Sequence, residues 1–212
     1  MVSIRRWKTS EKRMENPFQV LSLVAGVLDS QQISYVLVGS FASSIHGMYR
    51  ATADIDIVAE IKPEQVVPLL DALQGSFYLD EVAMREAIER RQSFNAIHFD
   101  SVFKVDIFIP KSDEFSRIQL ERRERRQLAP DVEQMIYVAT AEDTILAKLR
   151  WYESGGRVSN SQWTDVIGII GASSARLDHD YLGHWAQTLG LTELLERALI
   201  EAQDDERSSS GK

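Results

Sequence analysis

The sequence predicts an α/β fold of the α+β kind, a small mixed β-sheet flanked by helices with a helical C-terminal part, and three observations predict it. Short β-branched and aromatic runs, Tyr35-Val36-Leu37-Val38 and Asp54 to Ala59, are interleaved with segments of helical spacing. Two further strand-like runs, Phe94 to Phe99 and Val102 to Ile109, flank Asp100-Ser101 and read as a hairpin. From Thr140 onward the apolar pattern is helical.

Taken in order, Met1 to Pro17 is a charged lead-in without the apolar core of a signal peptide. Phe18, Leu21, Val24, Ala25 and Leu28 then fall at helical spacing. Gly39-Ser40 marks the passage from strand into a short helix, Phe41 to His46, which Gly47 stops. Pro63 suits the first turn of a helix running to about Leu73, and Asp80 to Arg91 reads as another with a charged outer face. Ser112 to Leu128 is expected to be a polar helix stopped near Pro130, and Val132 to Val138 the last strand. Four helical segments follow at about 140–154, 160–171, 178–189 and 191–205, punctuated by Gly155-Gly156, Gly171 and Gly190. The chain therefore divides into a lead-in at 1–17, a core at 18–139, a helical part at 140–205 and a flexible tail at 206–212.

Length and composition bound the function. A chain of 212 residues can bury one sizeable core, or one with a helical annex. Its net charge of −8 argues against a surface wholly given to wrapping a phosphate backbone, so any nucleic-acid contact is local. The absence of cysteine excludes disulfides, thiolate metal sites and a Cys nucleophile. No run of about 18 apolar residues suggests a membrane span, and a cytoplasmic location is expected.

The chemistry concentrates in carboxylates. Asp54 and Asp56 stand two apart in a strand, so both project from one face. Like charges so placed raise each other's pKa unless a cation neutralises them. Mg²⁺ is the expected ion, with Mn²⁺ as an alternative, since it takes oxygen ligands and leaves positions for water and substrate phosphate. Asp106, embedded in Val102 to Ile109, is the candidate third carboxylate, both as ligand and as general base. Two ions about 3.5 to 4 Å apart would share the first pair, the third acid binding the ion that activates the attacking hydroxyl.

Phosphate contacts are expected beside these acids. Gly39 permits close approach to main-chain N–H groups at a strand-to-helix turn, and Ser40 adds a hydroxyl. Arg50 and Thr52, just upstream of the acid pair, are further candidate donors. Thr140 with Asp143 forms a capping box that starts the next helix, on which Lys148 borders the apolar stripe of Ile145, Leu149 and Tyr152 and can supply charge to a β- or γ-phosphate. Ser159 with Gln162 is expected to cap the following helix in the same way. Asp165 falls off that helix's stripe of Trp163, Val166, Ile167 and Ile170.

Other features have plainer readings. The arginines of Glu121 to Arg126 alternate with glutamates and suit a solvated helix face better than an RNA contact. His46, His98, His179 and His184 lack close metal-ligand spacing, and Trp151, Trp163 and Trp185 read as core rather than base-stacking platforms.

The stretch Val38-Gly39-Ser40, thirteen intervening residues, then Asp54-Ile55-Asp56-Ile57, with Asp106 on a later strand, resembles the hG[GS]…DhD signature of the DNA polymerase beta-like nucleotidyltransferase superfamily. Arg50-Ala-Thr-Ala-Asp-Ile-Asp with Glu142-Asp143-Thr-Ile-Leu-Ala-Lys148-Leu-Arg-Trp-Tyr is similar to small bacterial nucleotidyltransferase-like proteins, distantly to AbiE/MenT-type toxins. The resemblance implies the nucleotidyltransferase fold, with the helical part closing over a nucleoside triphosphate (NTP). It implies transfer of NMP to a hydroxyl, with RNA or tRNA as the first acceptor to test and an antitoxin protein as a partner if the chain is a toxin. It also makes Lys148 the phosphate lysine and Asp165 an acid near the nucleotide. Two other functions are weighed: nucleotide or RNA binding without turnover on the same fold, and adenylyl transfer to a small molecule such as an antibiotic.

Overall fold

A computed structural model describes residues 17–47, 54–127 and 134–210. The elements run α1 (Pro17–Ser30), β1 (Tyr35–Val38), α2 (Gly39–Ile45), β2 (Asp54–Ala59), α3 (Val66–Leu73), β3 (Phe77–Tyr78), α4 (Glu81–Arg90), β4 (Ser93–His98) and β5 (Lys104–Phe108). Then come α5 (Glu114–Arg122), β6 (Glu124–Gln127), β7 (Met135–Val138), α6 (Ala141–Ser154), α7 (Asn160–Ser173), α8 (His179–Leu189) and α9 (Thr192–Ser210). A 3₁₀ turn at Pro63–Gln65 leads into α3. The expected mixed sheet is present in the order β3-β4-β5-β2-β1-β7-β6. In it β2 runs parallel to β5 and β1 parallel to β7, while the other neighbours are antiparallel.

Strand alternation separates the two faces of this sheet. Tyr35, Leu37, Ile55, Ile57, Val105 and Ile107 join one large core with Val20, Leu21 and Val24 of α1, Leu69 of α3 and Met84 of α4. The intervening positions, Asp54, Asp56 and Asp106 among them, therefore face the opposite way. On that side Val36 meets Leu120 of α5 and Ala139. A second apolar cluster joins α6, α7, α8 and α9, with Phe115 of α5 inserted into it. The C-terminal helices are thus held by a core of their own.

Two contacts hold the end of α2, one against α7 and one against the residue after β7. Gly47 has φ +110, and a Cβ there would lie 2.5 Å from the Cβ of Ala172 in α7. His46 Nε2 donates to the Ala139 carbonyl at 2.7 Å, and burial holds its pKa below the ordinary value, so the ring stays neutral. Around Asp143, which is wholly buried, the Tyr181 hydroxyl donates at 2.6 Å and Arg122 lies 3.7 Å away with its guanidinium over the Tyr181 ring. This cluster clasps α5, α6 and α8 together.

The structure corrects the reading of 112–128. The helix expected from Ser112 to Leu128 ends at Arg122, and Glu124–Gln127 becomes an edge strand on β7. Pairing with the exposed edge of β7 outweighs the helical propensity of the Glu/Arg run. The cluster's arginines are engaged internally, Arg123 lying over Tyr137 and Arg126 pairing with Glu124. β3, only two residues long, carries too little pattern to be read from sequence. No helix among the described residues is long and apolar enough to cross a membrane.

Candidate active site

β1 and β2 are antiparallel with Val38 opposite Asp56, which sets Gly39 directly against that carboxylate. Gly39 adopts φ +66, and a Cβ there would lie 2.0 Å from Asp56 Oδ2. Glycine is required at this position both by the left-handed backbone and by the lack of space. Val38 at the N-cap of α2 offers no side-chain acceptor to the first turn, where Ser40 lies.

Parallel pairing of β2 with β5 places Asp56 opposite Asp106 and Asp54 opposite Lys104. Residues in register on adjacent parallel strands share a face, so all three carboxylates point to one side, as the sequence spacing requires. The Asp56 carboxyl is pushed up to about 6, first by burial and then by Asp106 and Asp54, with Lys148 and Lys104 opposing the shift. Lys104 Nζ lies 2.8 Å from Asp106 Oδ2 and 3.9 Å from Asp54 Oδ1. The hydrogen bond to Asp106 raises the lysine's own pKa.

These acids suit a hard divalent cation by their chemistry. They are oxygen donors on one face, they repel one another, and an ammonium already bridges two of them as a stand-in for positive charge. Among the described residues, however, no three His, Asp or Glu side chains yet surround one point at ligating distance. Asp54, whose side chain is 57% exposed, lies outermost of the three.

Lys148 and Asp165, treated separately in the sequence, form a single unit. Lys148 Nζ donates to Asp165 Oδ2 at 2.7 Å and to Gln162 Oε1 at 3.1 Å, and both charged side chains are nearly fully buried. Asp165 therefore lies on the packed side of α7 and not off its stripe. Gln162 is spent on this lysine, while Ser159 makes no side-chain cap bond to the first turn of α7. Thr140 does cap α6 through the Asp143 N–H at 3.1 Å. Arg50 and Thr52 lie outside the described residues.

A cleft of about 720 Å³ opens between the acid-bearing face and the helical part, with Gly39, Asp56, Lys148 and Gln162 on its walls. That volume is of the size of a small-molecule site. Arg91, Lys111, Phe108, Arg150 and Trp151 line the cleft as well. Trp151 is 62% exposed, which overturns its assignment to the core; Trp185 is buried as expected. Sequence reasoning also passed over Lys104, although its place two residues before Asp106 puts it on the same strand face.

Residues 13–163 match the family described as "Nucleotidyltransferase of unknown function (DUF6036)". No curated protein matches the sequence. Among solved structures, an antigenic nucleotidyltransferase-like protein from Paracoccidioides brasiliensis is similar at 16% identity and a TM-score of 0.51, over 86% of this chain and 91% of that one. The antibiotic-resistance factor ANT(2″)-Ia, solved in complex with adenylyl-2″-tobramycin, is similar at 11% identity and a TM-score of 0.50, over 82% of this chain and 96% of that one. At these identities the likeness is one of fold.

Proposed function

The chain belongs to the DUF6036 nucleotidyltransferase family, and from that premise we propose that it transfers NMP from an NTP to a hydroxyl acceptor at the Asp54, Asp56 and Asp106 face. The observation that carries the reading is Asp56, packed on Gly39 and in register with Asp106, where burial and the neighbouring carboxylates push its carboxyl up to about 6. A carboxylate at such a cost is what a cation site would relieve.

In this reading the three acids hold Mg²⁺ or Mn²⁺, which when bound offsets charge on the triphosphate and makes the acceptor hydroxyl more acidic. Gly39 lets the triphosphate approach the main chain, with Ser40 and the Arg50 and Thr52 side chains as further donors. Lys148 supplies fixed positive charge toward the β- and γ-phosphates, while Asp165 and Gln162 set its direction. The acceptor oxygen attacks the α-phosphorus in line. A new O–P bond forms as the bond to the bridging oxygen breaks, pyrophosphate leaves, and Asp106 takes the hydroxyl proton.

RNA, tRNA first, is the acceptor to test. Binding without turnover is a second reading, and one observation favours it: Lys104 already pairs with Asp106 and approaches Asp54. Each of the four α-³²P-labelled NTPs, incubated with Mg²⁺ and total RNA, tRNA or aminoglycosides, separates these readings. Label transfer that Asp54→Ala abolishes supports the enzyme; NTP binding with no transfer to any acceptor supports the second reading.

A further inference from the structure

Trp151 is a large aromatic side chain left 62% exposed on an otherwise well-packed helix. It stands three residues beyond Lys148 on α6, about one turn farther along the same side, and it also lines the cleft. Phe108 of β5 supports it edge-on, with ring centroids 6.5 Å apart and planes at 66°. This leaves an indole supported from the sheet and open to the cleft.

The charges around it differ from the chain as a whole. In a protein of net charge −8 the cleft is lined by Arg91, Lys111, Lys148 and Arg150, and Asp56 is the one carboxylate on its described walls. Arg150 is held by Asp113 at 3.0 Å, and Arg91 by the Pro110 carbonyl at 2.8 Å. Lys111 has no ion-pair partner among the described residues. Lys148 is likewise held by Asp165 at 2.7 Å, so Lys111 and Arg91 are the cations that can meet phosphate, and an aromatic ring carrying phosphate meets both an indole and positive charge.

We propose that Trp151 is a stacking platform for a nucleobase, with Lys111 and Arg91 receiving the adjoining phosphate. The proposal rests on the cleft being the nucleotide site, and it adds the subsite that reads the base. The base can come from the donor NTP or from the end of a single-stranded acceptor, since both present the same ring and phosphate.

Titration calorimetry on the full chain in Mg²⁺ tests it with three probes: α,β-methylene-ATP, inorganic tripolyphosphate and a single-stranded hexaribonucleotide. Trp151→Ala is expected to weaken binding of at least one base-bearing probe about tenfold, with tripolyphosphate unchanged and Trp151→Phe largely retaining affinity. Weakening of the ATP analogue assigns the platform to the donor base. Weakening of the hexaribonucleotide alone assigns it to the acceptor. The proposal is overturned if the wild type binds neither base-bearing probe, if Trp151→Ala leaves both within twofold, or if tripolyphosphate weakens equally. An unchanged thermal midpoint verifies that the variant is folded. Because binding is read without turnover, Trp151-dependent affinity alongside absent label transfer would sink the transferase reading and leave this one standing.

Discussion

Asp56 holds a charge that its surroundings resist. Its folded pKa of about 6 exceeds the unfolded 3.8, so the folded state binds this proton more tightly. The stability it contributes is therefore full below pH 3.8 and is lost as pH rises through about 6. In EDTA, Asp56→Asn is expected to raise stability in urea melts by on the order of 1 to 2 kcal/mol at pH 8, and by nothing measurable at pH 3.5. The same variant should lose label transfer, and a variant that is both less stable at pH 8 and fully active would remove Asp56 from the site. Gly39→Ala meets a different obstacle, a Cβ within 2.0 Å of the Asp56 carboxylate on a left-handed backbone. A loss of about 1 to 3 kcal/mol, with transfer abolished, is expected from melts and assays run side by side. At this scale the acids were legible because strand period sets Asp54 with Asp56, and Gly39 because a turn must precede them. Lys104 followed the same period, but its charge drew no attention beside a carboxylate motif.

At the scale of elements, α6 and α7 are joined by a buried ion pair. Removing one partner strands the other charge where water cannot reach it. Lys148→Met should thus cost about 3 to 5 kcal/mol in chemical denaturation, and Lys148→Met with Asp165→Leu much less. Equal losses in single and double variants would argue that the pair is not coupled. Helix starts with a working cap, such as Thr140 and Asp143, could be read from sequence because the bond is local. The end of α5 could not, because the preference of Glu124–Gln127 for a strand comes from β7, which lies later in the chain. The partnership of Lys148 with Gln162 was equally hidden, since the expected cap bond from the same glutamine used the nearest backbone and ignored the neighbouring helix.

Across the whole molecule, the acids stand on the sheet and Lys148 on the helical part, and each part has its own apolar cluster. A nucleotide in the cleft must touch both. Hydrogen exchange with α,β-methylene-ATP and Mg²⁺ is therefore expected to slow in α2 and in the Lys148 to Trp151 turn of α6 together, and the thermal midpoint to rise with ligand concentration. Protection confined to one part would place the ligand elsewhere. The mixed class and the helical second half were readable from periodicity, whereas the cleft was not, because its walls come from segments remote in sequence. That remoteness has a kinetic side. Asp56 and Asp106 become neighbours only when β5 docks beside β2, about fifty residues away along the chain, and β7 must return still farther to reach β1. Long-range pairings of this kind slow folding, so the face that carries Asp56 and Asp106 forms only once strands remote in sequence have paired.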